Sequence, residues 1–142
     1  SPFLPATVRA VLRILDPARM TGTIVIVGQG RLIGKPLADF LERDGKTVIR
    51  CDQTTKDLRI ITKQADVLVV ATGVENLITA DMVKKGAIVI DCGAPKAEVD
   101  FPAVARIAGA ITPVPGGIGP LTVVSLLENL VEATYNTLHE RR

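Results

Sequence analysis

Aromatic side chains are nearly missing: three Phe, one Tyr and no Trp make up 3% of the 142 residues. Without them there is no stacking platform for the bases of single-stranded nucleic acid. Charge of one sign is not concentrated either. The formal net charge is +2, with no block of five or six like charges. No nucleic acid partner is therefore expected. No uninterrupted apolar run approaches the ~18 residues that span a bilayer, and no secretory signal is seen. No membrane association is expected, and the cytoplasm is the default compartment. Histidine occurs once, at His139, and cysteine twice, at Cys51 and Cys92. That is too little for a metal site or a secreted disulfide scaffold, and the two thiols read as small apolar fillers. Asp66, Asp91 and Asp100 fall at strand ends at opposite sheet edges, so no metal is expected there. An initiator Met is lacking as well. The start at Ser1-Pro2-Phe3 reads as a processed product or a piece of something longer.

What the chain does contain is 47% hydrophobic and 23% charged residues, as in one globular domain spanning residues 1–142. Short β-branched runs alternate with helical stretches. The runs Thr23–Val27, Lys46–Cys51, Asp66–Ala71, Ala87–Asp91 and Ala110–Thr112 predict strands. They are continuously apolar rather than alternating, as parallel strands covered on both faces should be. Between them lie helical candidates at Pro36–Arg43, Asp57–Gln64, Ala80–Lys85 and Pro102–Ala108. Thr79 is placed to cap the third, and Gly86 to stop it. A flanking N-terminal helix is expected at Val8–Leu15, capped by Thr7. A long C-terminal helix is expected over roughly Val123–His139, with Val124, Leu127, Val131 and Leu138 on one stripe. Alternating strands and helices imply βαβ crossovers. The fold class is therefore α/β: a Rossmann-type doubly wound parallel sheet, expected in the order 3-2-1-4-5.

The first strand runs into Gly28-Gln29-Gly30-Arg31-Leu32-Ile33-Gly34-Lys35-Pro36, a glycine-rich turn that opens a helix. That is the context of a dinucleotide-binding turn. Glycines let a backbone approach a diphosphate, and the helix start offers unpaired N–H groups and a positive dipole end. The spacing Gly-x-Gly-x-x-x-Gly is one residue longer than the usual fingerprint, and a tight turn without a ligand remains the alternative. A P-loop is excluded, because Pro36 stands where a Mg²⁺-binding Ser or Thr is needed. Asp52 lies just past the second strand, where an acid bonds the adenosine ribose hydroxyls and repels a 2′-phosphate. It could equally be a plain turn aspartate. Arg31, Arg50 and Lys56 lie close enough in sequence to blunt that repulsion. Lys84-Lys85 reads as a solvated helix end, and so does His139.

The stretch Ile111–Thr122, ITPVPGGIGPLT, places three Pro and three Gly in twelve residues. Pro fixes φ and Gly supplies positive φ, so the mixture predicts a loop of one fixed shape. Together with Gly28–Pro36, Thr54–Leu58, Ala65–Gly73, Ile78–Gly93 and Val99–Phe101, this stretch resembles one family. It is similar to the C-terminal NAD(P)-binding domain of the bifunctional methylenetetrahydrofolate dehydrogenase/methenyltetrahydrofolate cyclohydrolase, and even Pro5–Leu15 fits.

The resemblance implies cofactor contacts at Gly28, Gln29, Gly30, Leu32, Ile33, Asp52, Gln53, Thr72, Gly73, Gly93, Ala94 and Thr112. It implies a substrate-facing loop at Pro113, Pro115, Gly116 and Gly117, a wall beside the nicotinamide. Departures from the family pattern sharpen the expectation. Gln29 and Gly30 stand where Arg and Ser often suit a phosphorylated ribose, and Gln53 stands where a further Ser does. NAD is therefore expected over NADP. The loop from Ala94 to Glu98 is shorter than the family's. The family's folate-binding N-terminal domain, with its Tyr-x-x-x-Lys catalytic lysine, has no match in this chain, and the sole Tyr is Tyr135. No catalytic residue is thus expected here. A tetrahydrofolate derivative would bind only with that other domain. The expected role is dinucleotide binding without turnover by these residues alone, within a one-carbon oxidoreductase and hydrolase. A homodimer is plausible by resemblance. A stand-alone, non-catalytic NAD-sensing module is the alternative.

Overall fold

The computed structural model describes residues 4–17, 20–93 and 95–112. The order of elements is α1 (Ala6–Ile14), β1 (Thr23–Val27), α2 (Gly34–Arg43), β2 (Thr47–Cys51), α3 (Leu58–Thr62), β3 (Val67–Val70), a 3₁₀ turn (Ala80–Met82), β4 (Ile88–Asp91), α4 (Phe101–Val104) and β5 (Ala110–Ile111). The five strands form one parallel sheet.

Each strand divides its apolar residues between two cores. Ile24, Ile26, Val67, Val69 and Ile90 pack with Val8 and Val11 of α1 and Leu37 and Leu41 of α2. Val25, Val27, Leu68, Val70 and Val89 pack on the opposite face with Ile61 of α3 and Val104 of α4. Side chains alternate across a strand, so a strand with helices on both faces must be apolar throughout. This is why the strand runs were continuous in the sequence, and it makes the fold doubly wound as expected.

The strand order, however, is β2-β1-β3-β4-β5, not 3-2-1-4-5. The third strand lies against the first, with Ile24 opposite Val67 and Val27 opposite Val70. The reason lies in which face each helix covers. Right-handed crossovers put a helix on one face when the chain moves one way across the sheet, and on the other face when it moves back. Helix α2 packs with the first core and α3 with the second. The chain must therefore reverse direction after β2, passing over β1 to lay down β3.

Helices α3 and α4 and the turn after Thr79 are shorter than the sequence suggests, whereas α1 and α2 each begin two residues earlier than expected. Thr7 lies inside α1, whose N-cap is Pro5. The segment after Thr79 makes only a 3₁₀ turn, with no side-chain cap bond to the backbone. Thr79 Oγ1 instead bonds the Asp81 carboxylate. Lys84 is not simply solvated, because its ammonium lies 2.6 Å from Asp66 Oδ1. Asp66 in turn accepts the Thr23 N–H at 2.8 Å, fastening the starts of β1 and β3. The long C-terminal helix and His139 lie outside the described residues. Among the described residues no helix is long and apolar enough to cross a membrane.

At the other end of that seam Ala71 N–H donates to Val27 O at 2.8 Å, and on the β2 side of β1 Gly28 N–H donates to Cys51 O at 2.8 Å. Gly28 has φ +104°, and a Cβ there would stand 2.0 Å from the Ala71 carbonyl oxygen. Gly28→Ala should therefore cost about 2 kcal/mol or more, combining a strained backbone with a backbone clash. A urea-unfolding midpoint equal to that of the parent chain would contradict this.

Candidate functional site

The site begins where β1 gives way to α2. Lys35 N–H donates to Gly30 O at 3.0 Å, and Leu37 N–H to Ile33 O at 3.0 Å. The start of α2 carries no side-chain cap and no acid in its first turn. The Lys35 and Leu37 N–H groups are thus engaged and Pro36 has none, so what suits an anion placed before α2 is its uncompensated positive dipole end.

The three glycines of the turn have different causes. Gly28 and Gly34 are demanded by packing, since a Cβ on Gly34 would stand 1.8 Å from Gly28 O. Gly30 is not. A Cβ there would meet nothing within 4 Å, and its φ is not positive. The fold alone does not call for glycine at this position.

Two cavities meet at Gly30 and Ala71. One, of about 610 Å³, opens toward β2 and is lined in part by Gly28, Gln29, Asp52, Gln53 and Thr72. The other, of about 570 Å³, opens toward β4 and is lined in part by Leu32, Ile33, Gly73, Cys92, Pro95 and Glu98. Together they cross the carboxyl ends of the strands where chain direction reverses, the usual ligand position in an open α/β sheet. Nine of the expected cofactor residues are thereby brought to the walls of two adjoining cavities. Gly93 and Thr112 are buried beside Asp91 and belong to neither lining. Ala94, Pro113, Pro115, Gly116 and Gly117 lie outside the described residues.

On the β2 side, Asp52 Oδ1 accepts the Thr54 N–H at 2.8 Å and the Thr54 hydroxyl at 2.5 Å. The Thr54 hydroxyl is the main reason the Asp52 carboxyl is held below the usual carboxylate range. Arg50 does not reach into the cavity as a free cation. Its guanidinium contacts Asp39 at 2.6 Å and Glu42 at 2.9 Å, and donates to Gln29 Oε1 at 3.1 Å. Gln29 passes the connection on by donating to Gly28 O at 2.9 Å. The glycine-rich turn is thus braced from α2 through β2.

On the β4 side, two buried carboxylates organise the loop. Asp91 accepts backbone N–H groups from Gly93 (2.8 Å), Glu98 (2.8 Å) and Val99 (2.9 Å). Its own N–H donates to Thr112 Oγ1 at 3.0 Å. Gly93 is required here, because a Cβ would stand 2.5 Å from Lys96 O and 2.8 Å from Glu98 Cγ. Glu98 Oε1 accepts the Thr72 N–H at 2.7 Å and also bonds the Thr72 hydroxyl. Glu98 was missed in the sequence. Its only cue was an acid standing directly before Val99-Asp100-Phe101, with nothing to mark it as buried. Cys51 and Cys92 are buried free thiols, and burial pushes the ionisation of both up, so neither is a nucleophile.

Residues 5–138 match the family model described as tetrahydrofolate dehydrogenase/cyclohydrolase, NAD(P)-binding domain. The bifunctional protein FolD of Bordetella avium is 43% identical over 146 residues, which cover 96% of this chain and 51% of that protein. The solved FolD methylenetetrahydrofolate dehydrogenase/cyclohydrolase of Campylobacter jejuni superposes with a TM-score of 0.73 at 40% identity, covering 95% of this chain and 51% of that one. The Trypanosoma brucei methylenetetrahydrofolate dehydrogenase-cyclohydrolase, complexed with NADP cofactor and inhibitor, gives 0.73 at 31% identity, covering 95% and 52%. The chain spans about half the length of the curated relatives it matches.

Burial holds the Asp91 carboxyl above its ordinary 3.8, outweighing the three backbone donors. The folded chain thus keeps that proton more tightly than the unfolded chain. This contribution to stability is fully present below 3.8 and is lost as pH rises through the folded value. Asp91→Asn, which removes an acceptor, should cost about 1–3 kcal/mol at neutral pH. In urea titrations from acid to neutral pH, the stability gap between parent and variant should be widest at the acid end. A gap that widens with rising pH would show the sign to be wrong.

Proposed function

The chain belongs to the family of tetrahydrofolate dehydrogenase/cyclohydrolase NAD(P)-binding domains, and from that premise we propose that it holds a nicotinamide dinucleotide across both cavities for hydride transfer from a methylene-tetrahydrofolate. Gly30 carries this reading. It stands where the cavities meet, at the mouth of α2, and nothing in the packing requires it to be glycine. A backbone left bare at the start of a helix suits a diphosphate.

The residues divide the work. The bare backbone at Gly30 and the positive dipole end of α2 hold the diphosphate, and Asp52 receives the adenosine ribose. Leu32, Ile33 and Gly73 offer the apolar, close-approaching walls that a flat ring needs. When bound, the nicotinamide supplies the hydride chemistry itself. The chain contributes alignment, which accounts for a large part of such a rate. Pro113, Pro115, Gly116 and Gly117 form the stiff wall on the substrate side in this reading. Hydration of the methenyl product needs a group that manages protons. That group and the folate site belong, in this proposal, to a partner domain, so these 142 residues bind cofactor without turning over.

Cofactor choice follows from the β2-side cavity. Asp52 presents a fixed negative charge there, and the nearby cation Arg50 is committed to Asp39 and Glu42. A 2′-phosphate would meet repulsion from Asp52 without compensation from Arg50, so NAD is favoured over NADP. Calorimetric titration should give NAD a roughly tenfold or greater advantage, as expected for a juxtaposed like charge. Tighter binding of NADP would refute the assignment of Asp52. Gly30→Val should abolish binding of either dinucleotide while moving the unfolding free energy by about 0.5 kcal/mol or less, as for an unpacked surface position. Retained binding in that variant would remove the diphosphate from Gly30.

A further inference from the structure

Glu98 has no task in the scheme above, yet it is the least expected group in the cleft. Its residue surface is 2% exposed, and it lines the β4-side cavity. Charged side chains are rarely buried to this degree without a full set of partners. Its partners account for only one oxygen. Oε1 takes both the N–H and the hydroxyl of Thr72. Oε2 has no donor among the described residues, and no buried side-chain oxygen there is left unsatisfied. Glu98 lines the β4-side cavity, so Oε2 is the oxygen it can offer to a group bound there.

The position of the carboxylate is fixed from both sides. Its own N–H is held by Asp91 Oδ2 at 2.8 Å, and its carbonyl accepts the Ile78 N–H at 3.0 Å. Thr72 fixes the carboxylate end and passes the constraint to Val74 N–H, which donates to Thr72 Oγ1 at 3.1 Å. Gly73, between them, has φ +80° and leaves open space on the same cavity wall. The cations nearest in sequence do not neutralise it: Lys96, across the loop, pairs with Glu75 at 3.3 Å. What remains is a rigidly held carboxyl group in the wall of the recess, with one oxygen to offer to an N–H donor.

We propose that Glu98 Oε2 accepts the amide N–H of the nicotinamide carboxamide and so fixes which way the ring is turned in the cleft. This rests on the dinucleotide reading above and adds to it a residue that orients the reactive end. Thr72 becomes the positioning residue for Glu98. A carboxylate suits the task because it donates nothing, and so selects the NH₂ edge of the carboxamide over its carbonyl edge. A bond to a charged acceptor also discriminates strongly against ligands that lack the donor.

The test compares three probes by calorimetry on the full chain: NAD, its 3-acetylpyridine analogue, which has a methyl group in place of the NH₂, and ADP-ribose, which has no pyridine ring. The parent chain should bind NAD roughly tenfold or more tightly than the acetylpyridine analogue, as one charge-assisted hydrogen bond implies. In Glu98→Gln, whose amide would turn a donor to the cavity, that preference should fall to within about twofold, with ADP-ribose affinity unchanged. Equal binding of NAD and the acetylpyridine analogue by the parent chain overturns the inference, whether or not the variant folds. An equal drop for all three probes in the variant also overturns it, by assigning Glu98 to scaffolding alone. No ADP-ribose binding by the parent chain would instead bring down the dinucleotide reading, and the inference with it.

Discussion

Everything at the site depends on how closely the β1–α2 turn passes over the end of β3. Gly28 and Ala71 lie so near each other that no side chain fits between them, and the strands are bonded at that point through Ala71 N–H and Val27 O. Helix α2 leaves on one face of the sheet and α3 arrives on the other. The cleft is the gap left where they part. Had β3 lain outside β2, the turn would have opened over a different neighbour. Asp52 and Glu98 would not then line two adjoining cavities.

The strands and the site were unequally legible in the sequence. The five strand runs could be read because β-branched residues in unbroken series have few other uses. Their order could not. A strand buried on both faces carries no mark of which helix covers which face, so the register of Ile24 with Val67 had no signature. Helix lengths were overread for a similar reason. The apolar residues after Asp57 and Thr79 are needed to cover the sheet, and one turn of helix is enough for that. Gly28, Gly30 and Gly34 were legible as a group, but their separate causes emerged only from what stands opposite each one.

The β4-side loop was the least legible part. A short connection after Asp91 cannot bring its own hydrophobic contents, and its backbone N–H groups would be stranded without acceptors. Asp91 meets that need by collecting three of them on one carboxylate. These bonds offset part of the cost of burying the group, though burial still outweighs them. The same clustering brings Glu98 to the cavity wall and holds it there. A sequence shows acids at two positions, but not that one serves as the other's anchor.

The brace around Arg50 has a consequence for altering the molecule. Because its guanidinium is shared among Asp39, Glu42 and Gln29, the positive charge beside the end of the cleft proposed for the adenosine is already spoken for by the helix that follows the glycine-rich turn. Substituting Asp52 alone would remove an obstacle without creating an attraction. Redesign toward a phosphorylated ribose would have to start by releasing that cation from α2, and would loosen the turn in the same stroke. Selectivity and scaffold are wired together here, so neither can be tuned without touching the other.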